Sequence, residues 1–419
     1  MLLKFIVLSK DQNRLLLDQN QGRYAWPSVH CETTHVAVTS HIYDFFLAKY
    51  HLKVNVLRCF LQDGNLRIYE VEALDDDHRR FWVDASLVME LVDSGERKEF
   101  AEWLTKVSDR AIPWFQPGWR QEMEMWVREQ IPSRIITFEQ VRSWERSALF
   151  KIHTKQENYY FKAVPEVFSH EPSVQNFIAE LYPSYVPEVI VQDIEKNSYM
   201  MRELEGGLLG ESDQRIHWKR ALQQMVTIQR QSIYDNRELQ KLACPVRPMK
   251  EVLTNHLPIA LDELVTNFRI PREHYTSLKE SIPSMMAHVH ALEHSNLPLA
   301  LDHGDFFGGN IIVQDGQPLI YDWSDSSLTH PFLSVIVFLD EVKELFSEDF
   351  RNQLLGVYLD NWRAFDTYPR LQKEFHLVHV LAPLFYLTVH QRYIFPAFKD
   401  NIEHQQIIDH YVDQWLANI

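Results

Sequence analysis

Two short apolar segments, Ile311–Val313 and Leu319–Tyr321, flank a stretch centred on Asp315-Gly316. An Asp-Gly pair between β-forming runs is a strong hairpin signal, because both turn residues must take positive φ. Folding the chain at this pair brings Asn310 and Asp322 to the same open end. Asp305 sits five residues before Asn310, on the loop entering that end.

An amide oxygen and a carboxylate that converge in this way suit a hard divalent ion such as Mg²⁺, which takes a few oxygen ligands plus phosphate oxygens. A carboxylate at Asp305 can accept the proton of an attacking hydroxyl. Phosphoryl transfer needs this combination, since positioning and electrostatics supply most of its catalysis. The alternative reading is a surface hairpin with incidental polar residues.

His303-Gly304-Asp305 followed by Asn310 resembles the H-x-D-x-x-x-x-N catalytic loop of kinases. It is more similar to the HGD-x-x-x-x-N form of the aminoglycoside phosphotransferase and choline kinase superfamily. Asp322 stands where protein kinases carry the Asp of D-F-G, and Trp323 follows it here. The resemblance implies an α+β, protein kinase-like two-lobe fold, with an antiparallel-sheet N-lobe and a mostly helical C-lobe. It implies ATP and Mg²⁺ as cofactors, Asp305 as the base, and Asn310 and Asp322 as metal ligands. His303 becomes a residue that orders the loop.

Such a fold needs a lysine on its third strand for the α- and β-phosphates, and Lys162 in Tyr159–Val164 is the candidate. Its acidic partner is Glu171, with Glu180 as the fallback; Glu171 can also be read as a favourable charge at a helix N-terminus. The loop Ser143-Trp144-Glu145-Arg146-Ser147 holds no glycine. Ser147 or Arg146 is then assigned to the phosphates. Met200–Leu204 is the expected hinge, where Met201 and Glu203 receive adenine through backbone groups.

The predicted organisation has four parts. A small α+β domain covers 1–108 and an ordered linker covers 109–133. The N-lobe covers 134–204 and the C-lobe 205–419. In the first part, Gly22-Arg23-Tyr24-Ala25-Trp26-Pro27, a helix through Ala48 and a later hairpin resemble a Nudix domain. The glutamates of the Nudix helix are replaced by Phe45, Ala48 and Lys49. Without those carboxylates the resemblance implies a non-hydrolytic domain that binds a ligand or packs on the lobes. Further on, helical spacing is expected from Val36 to Tyr50 and from Phe100 to Val107. Pro331 is the expected first residue of a helix through Phe346, and a long apolar helix runs from Phe375 to Phe395 with Pro383 inside it.

Composition excludes several classes. With 42 basic and 58 acidic residues the net charge is −16, which disfavours nucleic-acid binding. No GxGxxG and no GxxxxGK[ST] pattern occurs among the 12 glycines, which argues against Rossmann and Walker-type nucleotide sites. Cys31, Cys59 and Cys244 are scattered, and a reducing cytoplasm fits them. No signal peptide or membrane span is expected. The partner is a small-molecule hydroxyl acceptor. Asp302, Asp305 and Asp325 make the cleft mouth acidic, suiting a cationic, amine-bearing acceptor. Phe385, Tyr386 and Tyr393 line the acceptor pocket or belong to the core. A catalytically silent pseudokinase with a ligand-sensing Nudix-like domain is the alternative function. Oligomeric state is not encoded legibly.

Overall fold

The computed structural model describes residues 1–20, 23–32, 35–75, 82–107, 111–267, 269–398 and 402–417. Gly22 and residue 108, the expected domain end, lie outside them. The described residues form two compact units: Met1–Pro165 with Ser198–Glu203, and Glu166–Asn197 with Leu204–Ile419.

Among the described residues the first unit contains a two-stranded ribbon, Asp18–Asn20 with Arg23–Ala25, and two larger sheets. In one, β1 (Leu2–Leu8) pairs antiparallel with β2 (Arg14–Leu16) and β3 (Ser28–His30). Helix α1 (Ser40–Tyr50) follows, then the hairpin of β4 (Val54–Asp63) and β5 (Leu66–Ala73). β5 runs parallel to β1, with Leu3 opposite Arg67 and Val7 opposite Val71. Phe46 of α1 is fully buried, 5.0 Å from the Phe5 ring, and Phe45 stacks on Phe5 at 5.4 Å. One of the lost glutamate positions is thus occupied by core packing. α1 starts four residues after Val36 because residues 37–39 are drawn into an edge pairing described below. Helix α2 (Ser94–Lys106) starts before Phe100, since the Asp93 carboxylate caps the N–H groups of Gly95 and Glu96 at 2.9 and 3.1 Å.

Within the expected linker lies helix α3 (Trp119–Gln130), which the sequence reading missed. Its Arg120 is buried, with Nη2 donating to Phe138 O at 2.9 Å. The Trp114 indole donates to Trp144 O at 2.8 Å. Both contacts lie within the first unit.

The second sheet of this unit runs antiparallel through β6 (Ile135–Trp144), β7 (Ser147–Thr154), β8 (Tyr159–Ala163) and β9 (Ser198–Arg202). Residues 37–39 pair with its β6 edge: Val38 bridges Arg142, and Ser143 N donates to Ala37 O at 3.0 Å. The Gln140 amide bonds both backbone groups of Val56, each at 2.8 Å. These contacts make one body of the first sheet and the second.

The second unit is mainly helical. Helix α4 (Glu171–Leu181) precedes a short strand β10 (Gly207–Leu208) and helix α5 (Arg215–Ser232), which buries Leu222, Met225 and Val226 as their spacing predicts. Strand β11 (Ala300–Asp302), the hairpin β12 (Ile311–Gln314) and β13 (Gln317–Ile320), and strand β14 (Ser327–Thr329) interrupt the helices. α6 (Ser334–Leu345), α7 (Glu348–Asp360) and α8 (Tyr368–Val389) follow. α6 begins three residues after Pro331, because Gln229 Nε2 captures the Pro331 carbonyl at 2.7 Å. Tyr358 in turn donates to Gln229 Oε1 at 2.8 Å. α8 runs through Pro383 and passes into a π-helical segment, His390–Ile394, short of the expected end at Phe395. No helix among the described residues is long and apolar enough to cross a membrane.

Candidate active site

The hairpin forms where the sequence places it. Ile311 faces Ile320, and Asp315 and Gly316 take φ of 51° and 75°, as a two-residue turn of this kind requires. Tyr321 N donates to Asn310 O at 3.1 Å, so Asp322 emerges beside Asn310.

Asn310 is buried, and its Nδ2 donates to both the backbone O and the Oδ2 of Asp305, each at 2.9 Å. That commitment fixes the amide's orientation and leaves its oxygen as the acceptor end. Asp322 is held at φ 65°, an uncommon conformation for a residue with a side chain, and its Oδ1 accepts from the Ser324 hydroxyl at 2.9 Å. Asp305, Asn310 and Asp322 are brought together by one local fold. Among the described residues no group of three or more His, Cys, Asp or Glu gathers as a metal site. One amide and one carboxylate fit an ion that draws its other ligands from water and phosphate.

His303 is fully buried. Its Nε2 donates to Tyr321 O at 3.0 Å and its Nδ1 accepts from Asp305 N at 3.3 Å. The ring thereby ties the loop before the hairpin to the strand end after it. Gly304 takes φ 81°, and a Cβ there would lie 2.7 Å from the carbonyl carbon and Cβ of Asp325. Gly308 donates its N–H to Glu341 Oε2 at 2.6 Å and packs so close to Gly210 that a Cβ would sit 2.5 Å from Gly210 N. Glu341 and Gly210 were not found from sequence. The available signal was glycine density, since Gly304, Gly308, Gly309 and Gly316 are four of the chain's 12 glycines.

Asp302 does not lie at a cleft mouth, contrary to the sequence expectation. It is 1% exposed, because β11 pairs with β14 and turns it inward. Its Oδ1 accepts from the Ser334 hydroxyl at 2.5 Å. Burial pushes its carboxyl up to about 6, against the opposing effects of Ser334, the Gly304 backbone and Arg247. The folded state therefore holds a proton here that the unfolded chain releases at lower pH. That contribution to stability is fully present below about pH 4 and is lost as pH rises through about 6. Asp302→Asn, which cannot titrate, should gain on the wild type by on the order of 3 kcal/mol between pH 4 and pH 7 in urea melts. Parallel stability curves would contradict this assignment.

The remaining predicted residues sit as follows. Lys162 is buried on β8, between Leu149 of β7 and Tyr199 of β9. Glu171 is fully buried at the first turn of α4, in the other unit; the fallback Glu180 accepts from Asn176 at 2.9 Å on an exposed face. The glycine-less loop is a two-residue turn, Glu145-Arg146, with the Trp144 indole donating to Ser147 Oγ at 3.1 Å. Met201 is half-buried opposite Tyr160. Glu203 pairs with Lys151, accepts from Asn158 Nδ2 at 2.8 Å, and donates its own N–H to Asn158 O at 2.9 Å. Any base contact at Glu203 is thereby restricted to its carbonyl. Of the aromatics, Phe385 is core at 1% exposed, and Tyr386 donates to Leu333 O at 3.3 Å.

A model of the phosphotransferase enzyme family matches residues 137–373. No curated protein matches the chain. Solved structures share its fold. The choline kinase from Cryptosporidium parvum Iowa II aligns with TM-score 0.52 at 12% identity, over 71% of this chain and 95% of its own. The Plasmodium vivax ethanolamine kinase aligns with TM-score 0.51 at 14% identity, over 78% and 97%. The GDP complex of wild-type aminoglycoside 2'-phosphotransferase-IIIa aligns with TM-score 0.50 at 16% identity, over 71% and 97%.

Proposed function

Because the chain belongs to the phosphotransferase enzyme family, we propose that it moves the γ-phosphate of ATP to a hydroxyl of a small molecule. The observation that carries this reading is the Asp305–Asn310 pair held beside Asp322 at the open end of the hairpin. The carboxylate of Asp305 receives the hydroxyl proton and orients the oxygen for in-line attack. Asn310 Oδ1 and Asp322 are the groups that would hold Mg²⁺, which supplies neutralisation of charge on the transferring phosphates. Lys162 takes the α- and β-phosphates with Glu171 as its partner, Ser147 covers the phosphates, and the backbone at Met201 and Glu203 receives the base.

Acceptors of the aminoglycoside, choline or sugar type fit this chemistry, and choline and ethanolamine kinases and an aminoglycoside phosphotransferase share the fold. With Asp302 buried, the case for an amine-bearing acceptor rests on Asp305 and Asp325. A cytoplasmic setting suits cysteines that form no disulfide among the described residues.

Calorimetric titration of ATP, with and without Mg²⁺, tests the nucleotide site. Asp322→Ala should abolish the Mg²⁺-dependent part of binding, a loss of at least tenfold in affinity. No binding to the wild type would mean that the hairpin is a relic and the protein a silent member of its family. An ADP-release screen over amine and sugar alcohols then finds the acceptor.

A further inference from the structure

Among the described residues, Arg247 is a buried cation that no carboxylate approaches closely enough to form an ion pair. It is 7% exposed, forms no ion pair among the described residues, and its Nε has no hydrogen-bond partner. A guanidinium stays charged under all ordinary conditions, and burying that charge without a close ion pair is costly. One face is covered by Tyr393, whose ring centroid lies 5.4 Å from the guanidinium carbon. Cation–π attraction to that ring offsets only part of the cost.

The residue's position is tied to the catalytic loop. Arg247 N donates to Leu328 O at 2.9 Å, pinning it beside β14. β14 pairs with β11, which ends at Asp302, immediately before His303-Gly304-Asp305. Asp325, whose backbone lies against Gly304, and the buried Asp302 are the acidic groups facing Arg247. Asp302 is engaged by Ser334.

The surroundings carry further unmet polar groups. His170 is 3% exposed, its Nε2 has no partner, and burial pushes it down to about 4, so it adds no charge near neutral pH. The hydroxyls of Ser326 and Thr329, both fully buried, have no partner either. Two π-helical segments adjoin the site: Val252–His256 follows Arg247, and His390–Ile394 carries Tyr393. His256 and Tyr393 meet at 5.5 Å between ring centroids. Such segments are rare and concentrate at functional sites.

The geometry points to Arg247 as the residue that takes an anionic group, a carboxylate or a phosphate, on the acceptor whose hydroxyl Asp305 activates. The acceptor is then anionic or zwitterionic, which narrows the classes proposed above to hydroxyl compounds that also carry a negative group and leaves out purely cationic alcohols such as choline. Naming that ligand as the acceptor rests on the phosphotransfer reading; the anion site itself does not.

The test measures binding of glycerol, glycerate and glycerol 3-phosphate by calorimetry to the wild type, Arg247→Met, Arg247→Lys and Asp322→Ala, with thermal melts of each. Glycerate or glycerol 3-phosphate should bind the wild type at least tenfold more tightly than glycerol. Whichever anion does so identifies the group. The preference should vanish in Arg247→Met, persist in part in Arg247→Lys, and survive in Asp322→Ala. Arg247→Met should melt no lower than the wild type, because it removes an unpaired buried charge. Neither anion out-binding glycerol in the wild type, or an anion preference unchanged in Arg247→Met, overturns the inference. If Mg²⁺-dependent ATP binding is absent while the anion preference holds, the phosphotransfer reading fails and the anion site stands.

Discussion

Replacing Asp305 by asparagine is expected to lower turnover by about 10³-fold while leaving Mg²⁺-dependent ATP binding within about twofold of the wild type. The substitution keeps the side chain's shape, so the contact from Asn310 Nδ2 to Oδ2 at 2.9 Å can be re-made to the new amide oxygen. On the proposed role of Asp305, only the ability to accept a proton and orient the nucleophile is lost. The fall should appear in kcat, because the lost interaction operates on the reacting hydroxyl. Unchanged turnover in an ADP-release assay would remove Asp305 from its role as base. Lost ATP binding would mean that the residue shapes the nucleotide site instead.

Gly304→Ala should be the most damaging single-methyl change in the site. At φ 81° an alanine is strained, and its Cβ would press on the Asp325 backbone, which cannot rotate aside. Either Gly304 or Asp325 must move, and both neighbours are constrained: His303 is bonded to Tyr321, and Asp305 to Asn310. A loss of about 2–4 kcal/mol of stability is expected. Activity should fall by about 10²-fold or more even where the protein stays folded, since misplacing a catalytic group by about 1 Å costs that much. Urea melts and turnover at a temperature well below the transition separate the two effects. A variant with wild-type values of both would show that the loop has room the structure denies it.

The hairpin was legible because everything that specifies it is local. Asp315-Gly316 sets the turn, and the flanking apolar residues set the register. The placement of Asp305, Asn310 and Asp322 around its open end follows from the same local fold. What was not legible depends on partners distant in sequence. α1 starts late because residues 37–39 pair with β6, about a hundred positions away. α6 starts late because Gln229 holds Pro331 O. Asp302 looked like a surface acid until the β11–β14 pairing turned it inward. Arg247 carries no signal at all in the chain, since Leu328 and Tyr393, which define its surroundings, are remote from it in sequence. α3 is a different case. Trp119, Met123 and Val127 recur at helical spacing and were passed over because the preceding prolines and glycine read as a boundary.

Gln140 has a longer reach than one side chain suggests. β4 has a register irregularity between Val56 and Arg58, and the Gln140 amide serves both the N–H and the C=O of Val56 there. Thr39 and Ser143 extend the same seam through bonds to Gln140 O and Leu57 O, each at 2.8 Å. Cutting the chain after residue 107 would bare that buried seam on both faces at once, leaving amides that neither half can satisfy. Proteins assembled like beads on a string can trade their front ends by recombination. This one is spliced through its own hydrogen bonds, so its first hundred or so residues and its first kinase-type sheet have to be inherited, transplanted and lost together.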